Sequence, residues 1–409
     1  MIRGTFLQAG MAQSWDTAQW SREFSYLQEA GMCYLVLTGL AATSGKTTYT
    51  LYPTRLPGFQ WVNPGVDVVD RCLQCAHKAG FKVFLGLQFN KDWWKQGAKD
   101  PEWLYEQMGI GNVLGDELHR TYFAKYPAAL HGWYWEYEID NRRFCTKRRL
   151  DVLARALNIS LFYLKKKRTP LPMLLSPFMN KKCSTPETYA AVWRYLLANT
   201  ELGAGDIFCP QDCVGAGGLA LADLPAWFSA LGKAVSTKPG MLYWANIENF
   251  VHKDWSSATL QRFIAQMEQV RPYVENIITF SYSHYYSPNN IAGGFHETYL
   301  NYLKTGLLEC EKPTPPREVR IRKLGGNEYK ISWSPGTDNI GIYGYQVYRN
   351  GMIIFTTAQQ RKYGGNPGGL LLEYIDRPSM FRSKGISYSV SALDFAGNLS
   401  RPAIGALQC

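Results

Sequence analysis

The chain has 409 residues, 46% of them apolar and 14% aromatic, and a formal net charge of +11 at pH 7. This length exceeds one ordinary domain, so we expect one large domain and a smaller one, each with its own apolar core. No run of about 18 apolar residues occurs, which excludes a membrane-spanning helix, whereas the positive charge permits an acidic partner.

Short apolar runs alternate with longer amphipathic segments over roughly the first 310 residues. Gly31 and Gly80 end two of the amphipathic segments, as expected at helix C-termini. Eight strands alternating with helices predict an α/β fold, a (β/α)8 TIM barrel. A doubly wound open sheet is the alternative, but no glycine-rich phosphate fingerprint follows the first run. The predicted strands are Ile2–Ala9, Cys33–Leu40, Lys82–Asn90, Leu130–Asn141, Leu171–Asn180, Asp206–Val214, Met241–Phe250 and Ile277–Tyr286.

The composition changes at Cys310–Arg317, a proline-rich stretch that we interpret as a linker. Beyond it, short runs alternate apolar and polar residues between turns, which is typical of a small all-β sandwich. We therefore predict a barrel at residues 1–311, a linker at 312–317 and a β-sandwich at 318–409.

Period-two alternation sorts polar side chains onto one face of several predicted barrel strands. In a barrel the inward face is packed except at the C-terminal mouth, where active sites lie. We therefore expect the polar residues at the strand ends to share one mouth. The inward face is predicted to carry Gly86, Gln88 and Asn90 on the third strand, Tyr134, Glu136 and Glu138 on the fourth, and Trp244, Asn246 and Glu248 on the seventh.

Two glutamates at one barrel mouth are suited to breaking a glycosidic bond. Retaining hydrolysis needs carboxyl groups about 5–5.5 Å apart, one protonated to donate to the leaving oxygen and one ionised to attack the anomeric carbon. Inverting chemistry needs only a wider gap of about 6.5–9.5 Å and stays open. The pair Glu138 and Glu248 therefore predicts a glycoside hydrolase, with the retaining mechanism preferred.

Three stretches carry a family resemblance: GTFLQ followed by Trp15 and Trp20, EAGM before the second strand, and GWYWEYEIDN at the fourth. Together they resemble a bacterial family catalogued as a domain of unknown function with a glycosidase-like barrel. A glutamate at the fourth strand and another at the seventh is also similar to the clan A glycoside hydrolases. That similarity implies that Glu138 is the general acid/base and Glu248 the nucleophile, although Tyr137 stands where the clan usually has asparagine.

The C-terminal region carries a second resemblance. TDNIGIYGYQVYRNG (Thr337–Gly351) and YSVSALDFAGNLS (Tyr388–Ser400) resemble the bacterial fibronectin type III modules appended to polysaccharide-degrading enzymes. The resemblance implies a spacer or weak binding module without catalysis.

Other polar and aromatic side chains near the strand ends are predicted to bind the substrate. Glu136 is predicted to lie one layer deeper than Glu138, where its carboxylate would hold other side chains or tune their pKa. It is also the alternative to Glu138 as acid/base, or a buried structural acid. Trp93 and Trp94 would form a stacking platform for a sugar ring. The remaining predicted substrate-binding residues are Gln8, Gln88, Asn90, Gln211, Asp212, Trp244, Asn246, Tyr282 and His284.

Neither a metal nor a cofactor is expected. Cys72 and Cys75 lack the second pair at matching spacing that a zinc site needs, and the nine cysteines are scattered along the chain. The expected partner is a polysaccharide or oligosaccharide, which the charge allows to be anionic, and the expected state is a monomer.

Two other function classes are alternatives to a glycoside hydrolase. One is a non-catalytic carbohydrate-binding or scaffold barrel whose carboxylates orient hydroxyl groups. The other is nucleic-acid binding through Lys147–Arg149 and Lys165–Arg168, but no recognised nucleic-acid module is present, and solvated helix faces explain these clusters. No apolar leader precedes the first strand, so we expect a cytoplasmic protein, or an extracellular or periplasmic one if a leader was removed.

Overall fold

The computed structural model describes residues 1–166, 169–291, 294–360, 370–378 and 385–408. Lys167 and Arg168 of the second basic cluster lie outside the described residues. By its internal contacts the chain divides into two compact units. The first comprises Met1–Asn249 and Ala265–Ser283, and the second comprises Phe250–Ile264 and His284–Cys409. The domain limits placed at 311 and 318 stay predictions.

Within the described part of the first unit, eight parallel strands close into a barrel. Strands that follow one another along the barrel sequence pair in parallel, and the first pairs with the eighth. The predicted α/β barrel is therefore confirmed. Its strands are Gly4–Gln8, Tyr34–Thr38, Lys82–Gly86, Leu130–Trp135, Met173–Leu175, Ile207–Phe208, Leu242–Glu248 and Asn276–Phe280.

Helices alternate with the barrel strands, and local sequence signals set their ends. The Asp16 side chain accepts from the backbone N–H of Gln19, and the Gln19 side chain accepts from the Asp16 N–H, forming a capping box. Gly80 caps the second long helix in the left-handed region at φ 70°, where glycine is favoured, as predicted. The long helices are Thr17–Glu29, Val68–Ala79, Pro101–Leu118, Lys147–Lys165, Pro186–Ala198, Leu224–Val235, Leu260–Val270 and Phe295–Thr305.

Each barrel strand contributes at least one side chain to an apolar cluster inside the barrel. Phe84, Tyr134 and Trp244 belong to this cluster, which confirms the inward face predicted for their strands. Glu136, two residues after Tyr134, directly follows the end of the fourth strand. The interior of the barrel is thus packed with apolar side chains, and the polar residues lie at the strand ends. The cluster consists of Phe6, Val36, Phe84, Tyr134, Leu174, Ile207, Cys209, Trp244 and Ile278.

All eight barrel strands are shorter than the runs that predict them, and at two of them the difference changes the position of predicted site residues. The fourth ends at Trp135, so Glu136 and Glu138 lie in the loop after it and do not end the strand. The eighth ends at Phe280 and is followed by one helical turn, Tyr282–Tyr285. Beyond the rim of a barrel the chains diverge, so turns and side chains complete the backbone hydrogen bonds that a ladder would otherwise satisfy. The predicted boundaries are therefore wrong here by a few residues.

The second unit contains two four-stranded sheets that share one apolar core. Ile331 and Trp333 of one sheet and Tyr345 and Val390 of the other belong to that core. The all-β region is thus as predicted, whereas its fibronectin type III character stays a prediction. One sheet comprises Arg317–Gly325, Glu328–Ser334, Glu373–Asp376 and Ala406–Gln408, and the other comprises Ile342–Arg349, Met352–Thr356, Tyr388–Asp394 and Ala403–Ile404.

Three further features concern the described residues only. None of their helices is long and apolar enough to cross a membrane. Among the same residues, no group of three or more His, Cys, Asp or Glu side chains is arranged to hold a metal ion. The cysteines described, from Cys33 to Cys310, are free.

Candidate active site

Glu248 is the last residue of the seventh barrel strand and is 1% exposed. The backbone N–H of Ala216 donates to Glu248 Oε2 over 2.6 Å. The Glu248 N–H donates to Asp212 Oδ1 over 3.2 Å, and the Glu248 carbonyl accepts from Gln266 Nε2 over 2.9 Å. Gln266 Nε2 also donates to Asp212 Oδ2 over 2.5 Å. These buried side chains fix the backbone from which the Glu248 carboxylate projects.

Glu138 lies in the loop after the fourth strand and is partly buried. Gln211 Nε2 donates to Glu138 Oε1 over 3.0 Å, and Trp93 Nε1 donates to the Glu138 carbonyl over 3.0 Å. Burial raises the pKa of the Glu138 carboxyl; the Gln211 hydrogen bond lowers it, the Asp140 charge raises it and the Arg143 charge lowers it. The net raised pKa favours the proton that a general acid must carry.

Two consecutive residues connect the glutamates. Gln211 donates to the Glu138 carboxylate, and Asp212 accepts from the Glu248 backbone. Burial raises the pKa of the Cys213 thiol well above its ordinary value, and the charges of Glu248 and Glu138 raise it further. The two hydrogen bonds place both predicted glutamates against consecutive residues, and their catalytic roles stay predictions.

The Glu136 carboxylate has its own hydrogen-bond donors, Thr38 and Gly39. Thr38 Oγ1 donates to its Oε2 over 2.5 Å, and the Gly39 N–H donates to its Oε1 over 2.8 Å. A Cβ added at Gly86 would lie 1.8 Å from Glu136 Oε1, so only glycine leaves room for this carboxyl. Burial raises the pKa of Glu136 from 4.5 to about 7. The hydrogen bonds from Thr38 and Gly39 lower the pKa, and the charge of Glu138 raises it, but burial has the largest effect.

The raised pKa of Glu136 predicts a pH-dependent stability. Folding strengthens proton binding to this carboxyl, so the stability present below about pH 4.5 is lost as pH rises toward 7. Because the side chain is partly exposed and water screens its charge, we expect a loss of about 2 kcal/mol rather than the full shift. Glu136→Gln should abolish this loss, which denaturant unfolding of wild type and variant between pH 4.5 and 8 would measure.

Glu106→Gln is the matched control, because Glu106 is an exposed glutamate on the helix Pro101–Leu118. Its unfolding free energy should follow that of wild type at every pH. If Glu136→Gln also follows wild type from pH 4.5 to 8, the Glu136 carboxyl does not titrate in this range.

Gln88 and Asn90 lie together in a buried network of side chains. Gln88 Nε2 donates to Thr43 Oγ1 over 2.6 Å and to Gln107 Oε1 over 3.0 Å, and Asn90 Nδ2 donates to Gln107 Oε1 over 3.1 Å. Tyr137 donates its hydroxyl to Gln88 Oε1 over 2.5 Å. The structure therefore places these two predicted substrate-binding residues where their amides are already bonded to the protein.

The two neighbouring tryptophans after the third strand differ in position. Trp93 is fully buried, with its ring stacked on Phe144 at 5.3 Å. Trp94 is 47% exposed, and the Arg143 guanidinium lies 4.7 Å from its ring centroid. Of the two tryptophans predicted to form the platform, only Trp94 has a ring surface that a ligand could contact.

Three other predicted residues of the first unit are buried. Trp244 is part of the apolar cluster inside the barrel. Asn246 donates its Nδ2 to Ser176 Oγ over 3.1 Å, whereas its buried Oδ1 has no hydrogen-bond partner among the described residues. Tyr282 is fully buried, and its N–H donates to Thr5 Oγ1 over 2.9 Å.

Two predicted residues remain, and they belong to different compact units. Gln8 is the last residue of the first barrel strand and is exposed. His284 belongs to the second compact unit, and burial lowers the pKa of its ring to about 3, so the imidazole is neutral at physiological pH. Their predicted contacts with substrate stay predictions.

Sequence reasoning missed several contacts of the site. Gln266 lies on a helix far along the chain from Asp212, and no local signal marks the contact. Arg143 follows the predicted fourth strand and was not singled out. Gly86 was detectable in principle, because a glycine at an inward position within a strand often marks a close approach of another group.

The family model described as "Domain of unknown function (DUF4434)" matches residues 2–292. Among curated proteins, the chain is similar to an alpha-amylase of Niallia circulans, with 32% identity over 92 residues, which is 22% of this chain and 6% of that protein. Exoglucanase B of Cellulomonas fimi is 24% identical over 178 residues, 43% of this chain and 14% of that protein. The chain thus spans a small part of the length of these relatives.

Two solved structures show a similar fold. A candidate alpha-L-fucosidase from Bacteroides thetaiotaomicron aligns with a TM-score of 0.61 and 23% identity, covering 74% of this chain and 93% of that one. The endo-beta-1,4-mannanase from Thermotoga petrophila aligns with a TM-score of 0.50 and 12% identity, covering 100% of this chain and 98% of the other. At such identities the likeness concerns the fold alone.

Proposed function

The chain belongs to the family described as Domain of unknown function (DUF4434), and from this premise we propose that it is a glycoside hydrolase acting on a polysaccharide or oligosaccharide. One observation carries the proposal: at the carboxyl ends of the barrel strands, Gln211 donates to the Glu138 carboxylate and the next residue, Asp212, accepts from the Glu248 backbone N–H. The names of the curated relatives, an alpha-amylase and an exoglucanase, support a carbohydrate substrate.

The proposed mechanism is retaining and uses the two carboxyl groups in sequence. Glu138 gives its proton to the glycosidic oxygen while the Glu248 carboxylate attacks the anomeric carbon, so the glycosidic C–O bond breaks and a glycosyl ester forms. Glu138 then takes a proton from water, the water oxygen attacks the anomeric carbon, and the ester bond to Glu248 breaks. Both carboxyl groups return to their starting protonation states.

The surroundings of the two carboxyl groups support these roles. Burial raises the pKa of Glu138, which keeps a proton available for the leaving oxygen. The Ala216 N–H donates to Glu248 Oε2, and a hydrogen bond of this kind stabilises an ionised carboxylate. An acid and a nucleophile with different environments are the arrangement that this chemistry requires.

A second function, a non-catalytic carbohydrate-binding barrel, has one observation in its favour. Glu248 is 1% exposed, and one of its oxygens is already bonded to Ala216, so the carboxylate is well enclosed by protein. In such a barrel Glu248 would be a structural acid that supports the rim, and sugars would bind without turnover.

A product screen over a panel of neutral and acidic polysaccharides tests the proposal. Wild type should release reducing ends from at least one polymer, whereas folded Glu248→Gln should release roughly 10³-fold less and Glu106→Gln as much as wild type. NMR of the first anomer formed would separate retention from inversion. Binding of a polymer by both wild type and Glu248→Gln, with no release by either, would favour the non-catalytic barrel.

A further inference from the structure

An exposed aromatic ring and a guanidinium group form a stacked pair in the first unit. Trp94 is 47% exposed, and the Arg143 guanidinium lies 4.7 Å from its ring centroid. The Phe89 ring is tilted against both Trp94 and Tyr137, with centroid distances of 6.1 Å and 5.5 Å. An exposed tryptophan in this setting offers a flat apolar surface, which the C–H face of a sugar ring can cover.

Arg143 is held in place but not fully paired. Its Nε lies 3.3 Å from Asp140 Oδ2, and its backbone N–H donates to Asp140 Oδ1 over 2.6 Å. Its Nη1, by contrast, is buried and has no hydrogen-bond partner within the described part of the chain. The Arg143 side chain as a whole is 28% exposed, and a carboxylate is the ligand whose planar shape matches a guanidinium group best.

This pair is next to the proposed catalytic acid. Tyr137, which contacts Phe89, directly precedes Glu138, and Arg143 follows Glu138 in the same loop. The Arg143 charge acts on the Glu138 carboxyl, so the two groups lie within Coulombic reach. Trp93, the neighbour of Trp94, donates its indole N–H to the Glu138 carbonyl over 3.0 Å, which also connects the exposed ring to the loop of Glu138.

We propose that Trp94 and Arg143 form a subsite for a uronic acid residue of the substrate. The tryptophan ring would contact the sugar face, and the guanidinium would bind the sugar carboxylate. The inference deepens the proposed hydrolase function and rests on it for the placement of the scissile bond beside Glu138. The net charge of +11 is consistent with an acidic polymer, since it favours the encounter with polyanions.

Binding to pairs of polymers that differ only in charge tests the subsite. The probes are polygalacturonate, alginate, glucuronoxylan and hyaluronan, each beside its carboxyl-reduced form, at about 0.15 M salt, where long-range attraction is screened. Titrations use the Glu248→Gln background, in which cleavage is blocked. We expect at least one acidic polymer to bind roughly tenfold more tightly than its reduced form, as one charge-assisted hydrogen bond allows.

The variants separate the subsite from the general charge of the protein. Arg143→Met should bring the ratio of the affinities for the acidic and the carboxyl-reduced polymer close to one. Trp94→Ala should weaken binding of both polymers by the same factor. Arg142→Met is the matched control, because Arg142 is the exposed neighbour in the same loop and its loss changes the net charge equally. The control should keep the preference.

The outcomes test the subsite and the hydrolase function separately. No preference for any acidic polymer, or equal loss of preference in Arg142→Met and Arg143→Met, would overturn the subsite. Cleavage of carboxyl-reduced polymers by wild type without preference would overturn the subsite and leave the hydrolase standing. Preference that depends on Arg143, with no cleavage by wild type, would support the subsite as a binding site and contradict the hydrolase.

Discussion

Glu138→Gln is expected to lower kcat/KM on an unactivated polysaccharide by roughly 10³-fold, because the leaving oxygen then departs without a proton. On an aryl glycoside with an acidic leaving group, such as 2,4-dinitrophenolate, the loss should be far smaller, since that group departs without protonation. Glutamine still offers an Oε1 to the Gln211 donor, so the fold should be kept. Steady-state kinetics on the two substrates measures the difference.

Glu248→Gln is the contrasting variant for this prediction. An amide cannot attack the anomeric carbon as a carboxylate does, so activity on both substrates should fall by a similar large factor. If Glu136→Gln shows the leaving-group pattern and Glu138→Gln does not, Glu136 is the acid/base. The pKa of about 7 at Glu136 makes that alternative chemically reasonable.

Gly86→Ala is expected to destabilise the fold by about 2–4 kcal/mol. Its Cβ would lie 1.8 Å from Glu136 Oε1 and 3.1 Å from Thr38 Cα, so the carboxyl must move away. The movement would break the hydrogen bonds that Thr38 and Gly39 donate, and both overpacking and the loss of buried partners are costly. Urea unfolding monitored by tryptophan fluorescence would measure the change.

A double-mutant cycle shows whether the Glu136 carboxyl causes the effect. Glu136→Ala removes the clashing atom, so Gly86→Ala should cost much less in that background, which gives a favourable coupling energy. Gly109→Ala is the matched control, because a Cβ there meets nothing within 4 Å and the site lies within a helix. It should be neutral or slightly stabilising. A Gly86→Ala variant as stable as wild type would contradict the close contact.

The two largest expected effects concern the carboxyl groups of Glu138 and Glu136, which have different hydrogen-bond partners. Glu138 must exchange a proton with substrate, so its environment has to be partly open, and its carboxyl is held by the single amide of Gln211. Glu136 is enclosed by two donors and by Gly86, an environment that holds a carboxyl in place. The contrast is the reason for keeping Glu138 as the proposed acid/base.

The sequence by itself determined the barrel, the helix ends and the inward face of the strands. These are local properties: the apolar period sets strand or helix, Gly80 can take the left-handed φ that ends a helix, and alternation places Tyr134 and Trp244 on one face. Since the carboxyl ends of barrel strands meet at one mouth, the sequence also predicts that Glu138 and Glu248 lie at the same end.

Only the tertiary structure decided which polar residues are bonded to the protein and which are open to a ligand. Trp93 and Trp94 are neighbours with the same sequence signal, yet Trp93 is fully buried and donates its indole N–H to the Glu138 carbonyl, whereas Trp94 is 47% exposed. The difference depends on long-range contacts between loops, such as that of Trp93 with the carbonyl of Glu138, which no local periodicity encodes. For the same physical reason the strand ends, the Gly86 contact and the position of Arg143 could be read only from the folded chain.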